Sequence, residues 1–152
     1  MRIFFLAGAL SCALCGPAIA AGQVSCTVDD GTVKMALESG VATAGQRFYD
    51  FRGGLALKPA GVPETLRVVR FDKTNLAQSW LDGRDLRIRV YTEAGRGDDF
   101  VSADISVTAK AAKRPSGTYR GAYEIVFNRK AAPNDSVDVE KPLSGSISCS
   151  TH

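Results

Sequence analysis

Three stretches of this chain alternate apolar and polar residues with a period of two, the period of a β-strand that buries one face. Leu86, Ile88 and Val90 alternate with Arg87, Arg89 and Tyr91, and Val101, Ala103, Ile105, Val107 and Ala109 alternate with Ser102, Asp104, Ser106 and Thr108. Tyr119, Gly121, Tyr123, Ile125 and Phe127 form a third set, and weaker strand patterns run through Thr32 to Leu37, Phe48 to Leu57 and Leu66 to Phe71. A helix cannot gather such sets on one face, because its side chains recur every 3.6 residues. Turn-forming clusters separate the runs: Asp29-Asp30-Gly31, Ser39-Gly40, Asp82-Gly83, Gly95-Arg96-Gly97-Asp98 and Pro133-Asn134-Asp135. Short strands at this spacing specify an all-β fold, an antiparallel β-sandwich or barrel.

Two places depart from the alternation. Gly53-Gly54 interrupts a strand pattern, and glycine inside a strand commonly marks a bulge or bend. Thr74 to Leu81 carries Leu76, Trp80 and Leu81 at helix-like spacing, with Thr74 or Asn75 able to cap. The spacing predicts about two turns of helix plugging an open end of the sheet, with Trp80 in the core beside the leucines.

The N-terminus reads as an export signal. Arg2 gives a positive start, Ile3 to Cys15 is apolar apart from Gly8 and Ser11, and Gly16-Pro17 precedes Ala18-Ile19-Ala20, the small-x-small pattern of a signal peptidase site. The run is shorter than the roughly 20 apolar residues of a membrane span. Neither Cys12 nor Cys15 follows a Leu-small-small triplet, so lipoprotein processing is not expected. Residues 1–20 are therefore read as a signal peptide and 21–152 as a single β domain, periplasmic or secreted. Cleavage leaves two cysteines, Cys26 and Cys149, in segments that read as the first and last strands. In an oxidising compartment such a pair is a disulfide, here one that ties the terminal strands together.

Composition excludes several chemistries. Without Arg2 the domain carries 18 of the 19 basic residues against 16 acidic ones, interspersed along the chain, which does not make the basic stripe of a nucleic-acid binder. The small cluster Lys110, Lys113 and Arg114 adjoins Pro115-Ser116-Gly117 and reads as a solvated hairpin. The one histidine is His152, so a Ser-His-Asp or Cys-His system lacks its base and a zinc site its commonest ligand. Asp98-Asp99, Asp29-Asp30 and Asp82 with Asp85 lie in turn sequence, where Asp serves local hydrogen bonding. No cofactor motif or metal site is read in the chain. Arg96-Gly97-Asp98 spells a cell-adhesion tripeptide, but glycine and aspartate are what a hairpin turn requires. Asn134-Asp135-Ser136 fits the N-glycosylation pattern, which a chain with a bacterial-type signal would not use.

One positive clue remains. If the aliphatic set of Leu86 to Val90 faces inward, Arg87, Arg89 and Tyr91 project together from the other face, where Asp104 or Glu124 could pair with them across strands. Arg and Tyr contribute heavily to buried interfaces. The expectation is a non-enzymatic protein that acts by binding, a periplasmic binding or inhibitor module with a protein or envelope partner. The alternative is a structural or accessory component of the bacterial cell envelope. Neither reading involves nucleic acid or, after cleavage, a membrane span. Intact-mass analysis of the exported protein should find a chain beginning at Ala21; a retained Met1, or a lipid on Cys12 or Cys15, would contradict the signal assignment.

Overall fold

A computed structural model of the protein describes residues 22–42, 47–59, 62–113, 117–129 and 141–152. The export segment, Arg114 and the Asn134 sequon lie outside these residues. The elements are β1 (Gly22–Asp29), β2 (Val33–Ala42), β3 (Arg47–Leu57), a one-turn helix α1 (Glu64–Arg67), β4 (Val68–Phe71), β5 (Leu76–Asp82), β6 (Asp85–Ala94), β7 (Val101–Ala111), β8 (Thr118–Arg129) and β9 (Leu143–Thr151). All nine strands belong to one sheet in the order β4-β3-β2-β1-β9-β8-β7-β6-β5, and every ladder is antiparallel. The all-β expectation holds, and the sheet is a single open one.

Its openness is a seam between β4 and β5. Alternating direction across nine strands makes the two edge strands run the same way, so Asp72 to Asn75 between them cannot be a hairpin. Four residues reach at most about 14 Å. β5 therefore starts within about 14 Å of the end of β4 and runs in the same direction, and no ladder joins the two edges among the described residues. The connection is a tight turn: Asn75 N donates to Asp72 O (3.0 Å), Thr74 N to Asp72 Oδ1 (2.8 Å) and Asp72 N to Asn75 Oδ1 (3.0 Å). Helix α1 touches β3, β4 and β6 and so bridges the seam, burying Leu66, with Val62 beside it.

The short helix is thus present, but not where the spacing of Leu76, Trp80 and Leu81 placed it. Residues 76–82 form β5, and Thr74 and Asn75 serve the turn and do not cap a helix. The cause is a bulge. Leu76 pairs with Val90 and Gln78 with Arg89, which leaves Ala77 as an extra residue. The partly buried set becomes Leu76, Ser79 and Leu81, and Trp80 lies on the opposite face with 52% of its surface exposed. A strand with one inserted residue loses its period of two, and its two leucines then mimic helical spacing.

Elsewhere the aliphatic sets face inward as the alternation requires. Leu86, Ile88 and Val90 meet Val107, Ile105, Tyr123, Ile125 and Phe127 in one core, to which β1, β2 and β3 add Val24, Val33, Met35, Leu37, Phe51 and Leu55. Each such side chain contributes about 1.5–3 kcal/mol on burial. The irregularity in β3 falls at Asp50, not at Gly53-Gly54. Between the pairs Glu38–Arg52 and Gly40–Tyr49, Asp50 and Phe51 oppose the single Ser39, and Asp50 takes the left-handed φ of 51° that Asp tolerates better than most residues. Gly53 instead permits a close approach, since a Cβ there would sit 2.6 Å from the Ala36 carbonyl oxygen.

β1 and β9 bring the two ends of the domain together. Gln23 and His152 exchange both backbone hydrogen bonds (2.9 and 3.0 Å), so by the alternation of antiparallel pairs Cys26 and Cys149, three positions further, face each other at a non-hydrogen-bonded site. Their Cα atoms are 4.0 Å apart and they form the disulfide, with a sequence separation of 123. In the loop-entropy account so long a loop is worth about 5 kcal/mol. Replacing either cysteine should lower the melting temperature by several degrees while the β-dominated far-ultraviolet spectrum is kept; an unchanged melting point would show that the β1–β9 ladder closes the sheet unaided.

Candidate functional site

The outer face of the β5–β6–β7 region is built by register. The pairs Trp80–Arg87–Thr108, Gln78–Arg89–Ser106 and Asp82–Asp85–Lys110 form three rows across the strands, and Tyr91 lies opposite Asp104. Side chains in such rows are close neighbours, about 4.5–5.5 Å apart at Cβ. Arg87, Arg89 and Tyr91 do project together from β6, all exposed. The structure distinguishes their states. Arg89 Nε donates to both oxygens of Asp104 (2.9 and 3.0 Å), and a second guanidinium nitrogen bonds Oδ2. Asp104, chiefly through these bonds and then by its charge, raises the Arg89 pKa further. The Tyr91 hydroxyl donates to Glu93 Oε2 at 3.3 Å. Lys110 Nζ stands 3.6 Å from Asp85 Oδ1. Arg87 has no ion pair or hydrogen bond from its guanidinium among the described residues.

Beside that unengaged cation stands the exposed Trp80. Gln78, Trp80, Asp82, Asp85, Arg87 and Lys110 line a groove of about 490 Å³ on this face. The sequence places Arg87 on this face but not Trp80 or Gln78, because the helical reading turns the indole inward, while Asp82 and Asp85 read as turn residues. A bulge at Ala77 was the missing element, and the alternation Gln78, Trp80, Asp82 was its only trace.

A second constellation joins distant parts of the chain. The Tyr123 hydroxyl, on β8, reaches over Gly145 of β9 and donates to Asp30 Oδ2 at 2.6 Å. A side chain at Gly145 would collide, its Cβ 2.7 Å from the Tyr123 ring. Asp30 Oδ1 accepts from Thr32 N (2.7 Å), Val33 N (2.7 Å) and Thr32 Oγ1 (2.8 Å). The Tyr123 bond first, and the two backbone amides next, hold the Asp30 carboxyl well below the ordinary aspartate pKa. Desolvation and the same carboxylate push the Tyr123 phenol above its usual value. A carboxylate with both oxygens engaged and so low a proton affinity is a poor general base or acid near neutrality. Its role is to pin the β1–β2 turn to β8.

The chain matches no protein-family model, no curated protein and no solved structure. The site must therefore be read from its own chemistry. Among the described residues no three His, Cys, Asp or Glu side chains gather as metal ligands would. Arg96, Gly97 and Asp98 lie in the exposed β6–β7 connection, where Gly95 and Gly97 take φ values of 77° and 61°; the turn itself accounts for the glycines. Lys110 belongs to strand β7 and not to the hairpin loop that follows it.

Tyr123→Phe keeps the ring and removes one bond to a charged acceptor, a loss of about 1.5–3 kcal/mol in chemical denaturation. Asp30 has its pKa depressed in the folded state, so its contribution is complete above the ordinary aspartate value of about 3.9 and fades as the pH falls below it. The difference between native protein and variant should accordingly narrow below about pH 4; a difference independent of pH would show that the phenol acts through packing alone.

Proposed function

We propose that this protein is an exported, non-enzymatic binding module of the periplasm or extracellular space, and that its contact surface is the outer face of the β5–β6 hairpin. The observation that carries this reading is the half-exposed Trp80 directly opposite Arg87, an indole beside a guanidinium that no other described side chain engages. Trp, Arg and Tyr dominate the energetics of interfaces that bury them. Arg89 and Tyr91 extend the surface along β6. Asp104 and Glu93 already hold them, so they supply a positioned rim more than fresh bonding capacity.

The disulfide supports the exported location, since such bonds persist in oxidising compartments. The non-enzymatic reading rests on chemistry. The only histidine stands at position 152, the cysteines Cys26 and Cys149 are spent in the disulfide, and Asp30 is saturated with donors. Nucleophilic or acid–base catalysis needs a poised group next to its activator. The Arg87 groove offers binding contacts instead.

The test is affinity capture from envelope extract on the immobilised mature domain, followed by a measured Kd for the component retained. The doubly substituted Trp80→Ala, Arg87→Ala protein should bind that component at least tenfold more weakly, on the order of 1.4 kcal/mol, with its thermal melt unchanged. Equal binding by the variant would move the contact surface elsewhere, and steady turnover of a glycan, ester or peptide substrate would end the binding reading.

A further inference from the structure

The groove beside Trp80 has a composition that narrows what it can hold, and this step rests on the binding reading above. Its six lining residues are one indole, one amide, two carboxylates and two cations: Trp80, Gln78, Asp82, Asp85, Arg87 and Lys110. The formal charges cancel. A polyanion or a polycation gains no net attraction from such a site, because steering requires an excess of one sign. A protein interface centres on an apolar patch depleted of charge, and here Trp80 is the single large apolar wall, with Arg87 opposite it on the neighbouring strand and Thr108 one strand further. We infer that the groove is a subsite for a neutral sugar chain, with the Trp80 indole as stacking platform and Gln78, Asp82, Asp85, Arg87 and Lys110 as hydroxyl partners.

The match is chemical. A pyranose ring offers one face of C–H groups and a rim of hydroxyls, each both donor and acceptor. The C–H face lies against an aromatic plane, and the rim asks for acceptors and donors in mixture: Asp82 and Asp85 accept, Arg87 and Lys110 donate, and the Gln78 amide does both. Planar groups such as carboxylate, guanidinium and amide can each engage two adjacent hydroxyls at once. The volume of about 490 Å³ lies within the roughly 300–1,000 Å³ of small-molecule sites. Access comes from the position of β5, which ladders only with β6 and forms an edge of the sheet, so no paired strand stands on the far side of the indole. The row Trp80–Arg87–Thr108 continues to Ala122 on β8, a track about 14 Å long at the normal strand spacing. It can seat more than one ring.

Trp80 is the only tryptophan in the chain, so its fluorescence reports on this site alone. The mature protein is titrated with neutral tetrasaccharides of the gluco, galacto, manno and N-acetylglucosamine series, with polygalacturonate and poly-glutamate as charged controls. A saturable change of emission with at least one neutral series is expected, insensitive to salt, and Arg87→Ala or Asp85→Asn should weaken it by about fivefold or more. Lys34→Ala, on strand β2 and outside the groove, should leave it unchanged, and thermal melts of all variants establish that they fold. No change of emission with any neutral series up to about 10 mM, or tighter and salt-sensitive binding of either polyanion, would overturn the sugar assignment. If the saccharides fail while the Trp80→Ala, Arg87→Ala protein still loses its captured envelope component, only the ligand class falls and the binding surface stands.

Discussion

The ladder between β1 and β9 is the one pairing in the sheet that joins segments far apart in sequence. Every other ladder connects consecutive strands, so the chain consists of two local meanders, β1 to β4 and β5 to β9, which would be separate ribbons without that junction. Residues 24–27 pair with 148–151, and the Cys26–Cys149 bond lies within this ladder. Bringing such distant segments together costs loop-closure entropy, and the covalent bond removes much of that cost from each refolding event. The position of Tyr123 over Gly145 and against Asp30 depends on the same junction, because it spans β8, β9 and the β1–β2 turn. The core, shared by both meanders, depends on it as well.

The parts of this architecture that were legible in the sequence are those where one residue follows another with a strict period. Leu86 to Tyr91, Val101 to Ala109 and Tyr119 to Phe127 have their buried faces where the alternation puts them, and of the outward polar set only Ser102 is buried. Arg89 found Asp104 across the strand because opposite charges on one face of a sheet lie within reach. The strand 76–82 was not legible. An inserted residue changes which side chains face inward without leaving a chemical mark, and Ala77 is neither glycine nor proline. Gly53-Gly54, by contrast, is marked in sequence, yet the bulge it suggests belongs to Asp50, whose left-handed backbone no composition rule singles out.

The candidate site was half legible for the same reason. Arg87 follows from alternation on β6, whereas Trp80 requires knowledge of the β5–β6 register. Only together do they make a surface. The pairing also sorts the three outward residues of β6: Arg89 and Tyr91 are held by acidic neighbours, and the Arg87 guanidinium, opposite an indole, is engaged by no other described side chain. A strand that reads as three equivalent contact residues thus contains one available group and two oriented ones.

The parallel sense of β4 and β5 at the seam gives the chain an unusual relation between its covalent and its spatial order. Along the sheet each strand pairs with the next from edge β4 to edge β5, and the covalent chain joins these two edges through Asp72 to Asn75 while its described ends, Gly22 and His152, lie in or beside the paired central strands β1 and β9. A circular permutant that joins these ends through a short linker and opens the chain at Lys73 would run β5 to β9 and then β1 to β4. Every ladder would then connect sequence neighbours. The non-local closure would become an ordinary hairpin, relative contact order would fall, and folding would accelerate, while the disulfide would close a loop of a few residues and lose most of its entropic value.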